Sequence, residues 1–271
     1  MKSEKSSFST RFGGAALITG ASSGFGEAFV RALAARKMDV ILVARRENLL
    51  RKLAKEIEQE HEVKSLVIAA DLTAQDAIPR IKNTVDQAGL SVGLLVNNAG
   101  FGTYGPFAKQ DPVKEANMVD LNCRAPVLLT HAFLPQMLER KKGGIIFVAS
   151  MAGFQPTIFL ATYAATKAFD LILAEALWAE LKPKGIDVLG LCPGYVVTGF
   201  QDAADAQRMP PRGSKVTPEK VVEVALKNLG KKPSVVPGNL NKIMVGSGRF
   251  APRRIIAKVA GRFIAPQKKQ K

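Results

Sequence analysis

The chain has 271 residues, 47% of them hydrophobic, and a formal net charge of +16. That is enough apolar material to bury a large core in one α/β domain. Its two cysteines, Cys123 and Cys192, have no Cys or His neighbour at metal-ligand spacing, so neither a disulfide scaffold nor a metal site is expected, and a reducing cytosol fits.

The start, MKSEKSSFSTRFGG, is polar and unlike a signal peptide, and no stretch reaches the ~18 uninterrupted apolar residues of a membrane span. A cytoplasmic protein is expected, at most peripheral at a membrane surface. From there the chain alternates short apolar runs with helical periodicities. The runs are AALIT (15–19), VILVA (40–44), SLVIAA (65–70), LLVN (94–97), IIFVAS (145–150) and IDVLGL (186–191), with a short VV at 235–236. Helices are predicted between them near 25–36, 46–60, 74–88, 113–140 and 162–182; in the second, Leu49, Leu50, Leu53 and Ile57 recur at helical spacing. Repeated βα units of this kind predict a single α/β domain over 1–271, a doubly wound parallel sheet of about seven strands with helices on both faces. Ligands bind such a sheet beyond the carboxyl ends of its strands.

The first strand exit reads Gly20, Ala21, Ser22, Ser23, Gly24, Phe25, Gly26 and opens a helix. Glycines there allow a tight turn and let backbone N–H groups approach a pyrophosphate, which the positive helix end also favours. A lone glycine-rich turn is also a plain structural device; its strand–turn–helix setting raises the binding reading. The second exit carries Arg45 and Arg46. Asp39 precedes VILVA and so stands at the wrong end of that strand to hold a ribose. An arginine at position 45 accommodates a 2′-phosphate, so NADP(H) is favoured over NAD(H), the alternative being a solvated helix start. At the third exit Asp71 and Leu72 are candidates for the adenine, or Asp71 is a helix cap. The fourth, Asn98, Ala99 and Gly100, lets the chain pass close to a ligand.

Ser150 ends the fifth strand, and Tyr163 and Lys167 stand four apart, on one face of the next helix. The chain resembles the short-chain dehydrogenase/reductase superfamily in its NADP-preferring form: TGASSGFG, NNAG, Asn122, Ser150, YAATK and Pro193-Gly194 with Thr198 match in order over roughly residues 14–200. The resemblance implies a Rossmann fold and an Asn122–Ser150–Tyr163–Lys167 tetrad, with Asn122 supporting the lysine through water. It also implies a nicotinamide contact from Pro193, Gly194, Val196 and Thr198, and a homo-dimer or homo-tetramer through the helices near 113–140 and 162–182. Arg45 matches the position that marks NADP preference, whereas Ser23 departs from the basic residue often found before Gly24.

The chemistry of these residue types agrees. A free tyrosine titrates near ~10, so exchanging a proton near neutrality needs its phenolate stabilised by about 4 kcal/mol. An ammonium ~5 Å away in an effective dielectric of ~20 supplies on the order of 3 kcal/mol. Tyr163 is thus expected to pass the proton, Ser150 to hydrogen-bond the substrate oxygen, and Lys167 to hold the ribose and lower the tyrosine's pKa. Taken singly, Ser150 also fits a cap, Asn122 a helix kink and Lys167 a surface charge.

The polar stretch 199–216, broken by Pro210, Pro211 and Gly213, reads as a substrate lid. Phe154, Phe159, Tyr195 and Phe200 are candidates for an apolar lining, or for core. The basic extension 239–271 has no acidic residue, and over 251–264 it patterns as an amphipathic helix with a cationic side, suited to peripheral contact with anionic lipid or to packing on the enzyme. No stacking or helix-turn-helix pattern accompanies the charge, so nucleic acid is not an expected partner; a small carbonyl or alcohol substrate is. A silent NADP(H) sensor or scaffold is the competing reading.

Overall fold

The computed structural model describes residues 8–196, 216–248, 252 and 254–257. Seven strands, β1 (Ala15–Thr19), β2 (Val40–Ala44), β3 (Ser65–Ala69), β4 (Val92–Asn97), β5 (Gly143–Val148), β6 (Ile186–Leu191) and β7 (Ser234–Val235), form one sheet in the order β3-β2-β1-β4-β5-β6-β7. Every neighbouring pair is parallel. Winding runs outward from β1 to β3, then restarts on the other side of β1 with β4. The exits of β1 and β4 therefore flank the crevice where a parallel sheet of this order takes its ligands.

VILVA, IIFV and the other apolar runs are strands because helices cover both faces, leaving no side on which a polar residue would gain water. On one face lie α2 (Gly24–Ala34) and α3 (Glu47–His61), which bury Phe29, Leu33, Leu50 and Ile57. On the other lie α4 (Ala77–Gln87), α6 (Ala125–Arg140) and α7 (Ala161–Leu181), which bury Ile81, Leu129, Phe133 and Leu181. Each such side chain, fully buried, contributes about 1.5–3 kcal/mol. The short α1 (Phe8–Phe12) precedes β1.

The helix expected over 113–140 is two helices. Asp111 caps α5 (Pro112–Val119) by accepting from the Val113 N–H at 2.9 Å, and a π-helical turn, Asp120–Arg124, separates α5 from α6. Pro126 has no N–H to donate to the carbonyl four residues back, so the regular ladder cannot run through this point, and the wider turn absorbs the gap. The strand expected over 145–150 starts and stops two residues earlier, leaving Ser150 beyond its end. Besides α1, periodicity passed over two longer helices among the described residues. In α8 (Pro218–Asn228), Thr217 caps the first turn and Val221, Val222, Ala225 and Leu226 face the core beside α2. The other is α9 (Asn239–Gly248), which has no buried residue.

Candidate functional site

The crevice between β1 and β4 is closed by one hydroxyl. Thr19 Oγ1, buried, donates to the Val96 carbonyl at 3.2 Å and accepts from the backbone N–H groups of Asn98 and Ala99, each at 2.9 Å. The Asn98 amide donates to Thr19 O at 2.7 Å. The two turns expected to meet a ligand are thus fastened to each other. At Gly26 a Cβ would stand 2.1 Å from Gly20 O, so only glycine lets α2 start against the turn. Gly20 itself has φ +65°. Ser22, Ser23 and Gly24 remain half-buried, while Phe25 packs on the core.

Arg46, read as a possible helix start, also does something more specific. Its guanidinium donates to Ser22 Oγ at 2.9 Å and Ser23 Oγ at 2.8 Å, so the β2 exit holds the glycine turn and puts a cation beside it where position 23 has none. Arg45 is exposed at the same exit. Asp71 caps no helix: its Oδ1 accepts from Thr73 N at 3.0 Å and Thr73 Oγ1 at 2.8 Å, whereas α4 begins only at Ala77. These bonds, the backbone one first, and the field of Arg45 hold the Asp71 carboxyl below the usual range. Leu72 is buried beside it. Asp39 is structural, its carboxylate accepting from Lys64 N at 2.8 Å.

At the other end, Ser150, Tyr163 and Lys167 come together. Ser150 does cap a turn, Met151–Phe154, through the Ala152 N–H at 3.1 Å, and its side chain also hydrogen-bonds the Tyr163 phenol. Lys167 is no surface charge. Its ammonium is buried, donating to Val148 O at 2.7 Å and to Asp170 Oδ2 at 2.9 Å. Burial pushes the Tyr163 phenol up; Lys167 and Ser150 pull it down and Asp170 pushes it up again, leaving it above its ordinary value. The expected lowering by Lys167 is present but outweighed, because removing a phenolate from water costs more than this shared ammonium returns.

Asn122 lies fully buried in the π turn, where the kink reading put it. Its Oδ1 accepts from Phe101 N at 3.1 Å, and its Nδ2 donates to Phe101 O at 2.9 Å and Thr166 Oγ1 at 3.0 Å. The side chain is therefore a strut between the β4 exit and α7. A Cβ at Gly100 would come within 2.9 Å of Asn122 Oδ1 and 3.5 Å of Lys167 Nζ, so the turn passes directly over both. Met151 N donates to Pro193 O at 3.0 Å, joining the β5 and β6 exits. Gly194 abuts Asn241 of α9, and Val196 is buried. Thr198, Phe200 and the stretch 199–215 lie outside the described residues.

Glu115, a buried carboxylate on α5, accepts from both Thr103 and Thr162, bracing the residue next to Tyr163. Its partners lie far apart in sequence, and no local pattern announces them. Tyr104, also unremarked in the sequence, meets Phe159 at 6.1 Å between ring centroids, and Gly105 N donates to Phe159 O at 2.9 Å. Phe159 is thus held against the segment that follows the β4 exit, at φ +64°. Phe154 is half-buried and packs against Ala149, Leu171 and Cys192.

Residues 14–209 match the family described as short chain dehydrogenase. The chain is 32% identical over 264 residues to very-long-chain 3-oxoacyl-CoA reductase-B of Danio rerio, spanning 90% of this chain and 83% of that protein. It is 36% identical over 220 residues to the very-long-chain 3-oxoacyl-CoA reductase of Anas platyrhynchos, spanning 79% and 68%. Among solved structures, one described for 7β-hydroxysteroid dehydrogenase stereoselectivity has a TM-score of 0.85 at 27% identity, covering 94% of this chain and 99% of that one. A short-chain dehydrogenase from Sphingobium yanoikuyae in complex with NADPH has a TM-score of 0.76 at 29% identity, covering 88% and 94%. A family match over most of the chain and relatives alike along most of both lengths lead to one conclusion: the chain belongs to the short-chain dehydrogenase family of oxidoreductases, acting on CH–OH and C=O groups.

Proposed function

We propose that the chain is an NADP(H)-dependent enzyme that interconverts a hydrophobic ketone or aldehyde and its alcohol. The observation that carries this is the Ser150 hydroxyl, Tyr163 phenol and buried Lys167 ammonium gathered beside the β4 exit. The cofactor's fit is supported at the other end, where the glycine turn opens α2 with Ser22, Ser23 and Gly24 half-buried and Arg45 and Arg46 offer a 2′-phosphate two cations. Gly20, Ser22, Ser23, Gly24 and Gly26 would hold the pyrophosphate; Asp71 and Leu72 the adenine; Asn98, Ala99, Gly100, Pro193, Gly194, Val196 and Thr198 the nicotinamide side. The bound cofactor supplies or takes the hydride.

Tyr163 gives its phenolic proton to the carbonyl oxygen in reduction and takes it back in oxidation. Ser150 donates to the same oxygen and stabilises the charge gathering there. Lys167 holds the ribose hydroxyls and steadies the phenolate; Asn122 fixes the turn that covers it. The names of the relatives make a 3-oxoacyl thioester the first substrate to try. The test is NADPH consumption over a panel of ketones, aldehydes and long 3-oxoacyl thioesters, with NADH in parallel and Tyr163→Phe as control. Full turnover by the variant on a substrate the parent reduces would show the proton donor to be another group.

The same reading assigns 1–271 to one domain, with 199–216 a lid over the substrate. Exposed Val113, Val119 and Leu128 on α5 and α6, with Phe169 and Ile172 on α7, support homo-oligomerisation, to be measured by light scattering. No helix among the described residues is long and apolar enough to cross a membrane. The same reading makes the chain a cytoplasmic enzyme touching anionic lipid peripherally through 251–264, where Ile255 is exposed. Liposome co-sedimentation with and without residues 249–271 tests that.

A further inference from the structure

One charged group at the reaction end has no part in the roles above. Asp170, one turn beyond Lys167 on α7, turns a carboxylate inward, and its side chain is only 4% exposed. Oδ2 takes the Lys167 ammonium at 2.9 Å, while Oδ1 is buried with no hydrogen-bond partner. A buried carboxylate half of whose acceptor capacity is unused is costly to keep, and a helix has no structural need of one here. What the carboxylate does reach is the cation that governs the phenol.

We propose that Asp170 is a positioning residue: it anchors the Lys167 ammonium on the inner side of α7 and offsets the field that ammonium exerts on Tyr163, so that the site is set to deliver a proton to a carbonyl rather than to take one from an alcohol. The proposal rests on the reading of Tyr163 as proton carrier. Two of the three ammonium hydrogens are committed, to Val148 O and Asp170, leaving one for the cofactor's ribose. Each charge sits against its opposite, so the pair acts on the phenol as a dipole, weaker than a lone ammonium. Burial and Asp170 both push the phenol up, and this agrees with the geometry.

The other titratable groups facing the pair are thiols. Cys123, from the π turn, is pushed up to about 11 by burial, and Cys192, beyond β6, is raised further by burial and by Glu175. Both are uncharged at neutral pH; burial raises the Asp170 carboxyl as well, the Lys167 ammonium at 2.9 Å opposes that rise, and Asp170 so held is the anion that matters to Tyr163.

Only three tyrosines occur, so ring-labelled tyrosine resolves Tyr163 by NMR in the full chain without cofactor or substrate, with Tyr163→Phe for assignment. In the parent, the Tyr163 signal is expected to titrate above the ordinary ~10, or to stay protonated up to the pH at which circular dichroism shows the fold is lost. A midpoint below ~10 overturns the proposal without any variant being made. In Asp170→Asn the midpoint is expected to fall by about one pH unit, and in Asp170→Glu, which keeps the charge, by less than about half a unit. An unmoved Asn variant, or a Glu variant displaced as far as the Asn one, overturns it, because packing and not charge would then be at work. On any alcohol the parent oxidises, the rise of rate with pH should shift to lower pH in Asp170→Asn by the same amount. A parent that turns over nothing defeats the functional reading, while the titration still decides the role of Asp170.

Discussion

The two ends of the crevice are built from opposite materials. Around the glycine turn the groups that would meet a nucleotide are half-buried or exposed: Ser22, Ser23, Arg45, Arg46 and Asp71 lie where water can replace any of them. Behind half-buried Ser150 and Tyr163 the supporting groups are buried and paired, apart from Asp170 Oδ1. Lys167 holds Asp170, Asn122 holds Phe101 and Thr166, and Glu115 holds Thr103 and Thr162. The exposed end can be tuned residue by residue at little cost to folding. The buried end cannot lose a member without leaving a partner stranded.

Several substitutions break or sharpen that contrast. Tyr163→Phe should lower turnover by about a thousandfold with the fold intact, since it removes one positioned proton and no buried charge; steady-state rates beside a melting curve check both halves. Because the parent phenol lies above its ordinary value, the reduction rate should show no loss from this group until the pH approaches ~10, where the phenol begins to ionise. Lys167→Met strands the Asp170 carboxylate and should cost about 3–5 kcal/mol in urea denaturation as well as activity. That is the largest stability loss expected of the four. Gly26→Ala pushes a Cβ onto Gly20 O and should weaken cofactor binding and lower stability by about 1–3 kcal/mol, read by calorimetry and fluorescence titration. Arg46→Ala, at the exposed end, should weaken NADPH binding about tenfold, leave NADH nearly unchanged and cost under about 1 kcal/mol of stability. A large stability loss in Arg46→Ala would erase the contrast.

The exposed end was the more legible in sequence. Its parts are contiguous, Gly20 to Gly26 and then Arg45 and Arg46, because a turn that meets a ligand with its own backbone must be written in consecutive residues. The doubly wound parallel sheet also followed from the βα alternation. The buried end was legible only where helical spacing brought Tyr163 and Lys167 onto one face. Asp170 stood in plain view three residues on and was not read, since i,i+3 carboxylates on helices are usually solvated. Glu115 could not be read at all: Thr103 and Thr162 reach it only once the β4 exit and α7 have folded together. The break in the helix over 113–140 had a written cause, Pro126, but the hydrophobic period continued through it and concealed the change.

That break has a consequence for sequence length. A residue added to or removed from an α-helix turns everything after it by about 100° about the axis. The π turn at Asp120–Arg124 is such an addition already made, and α5 and α6 are each phased to their own neighbours on either side of it. Deleting one residue between 120 and 124 would straighten the rod and swing Leu129, Phe133 and Met137 off the sheet. The chain should therefore accept most substitutions in this segment far better than a single-codon deletion.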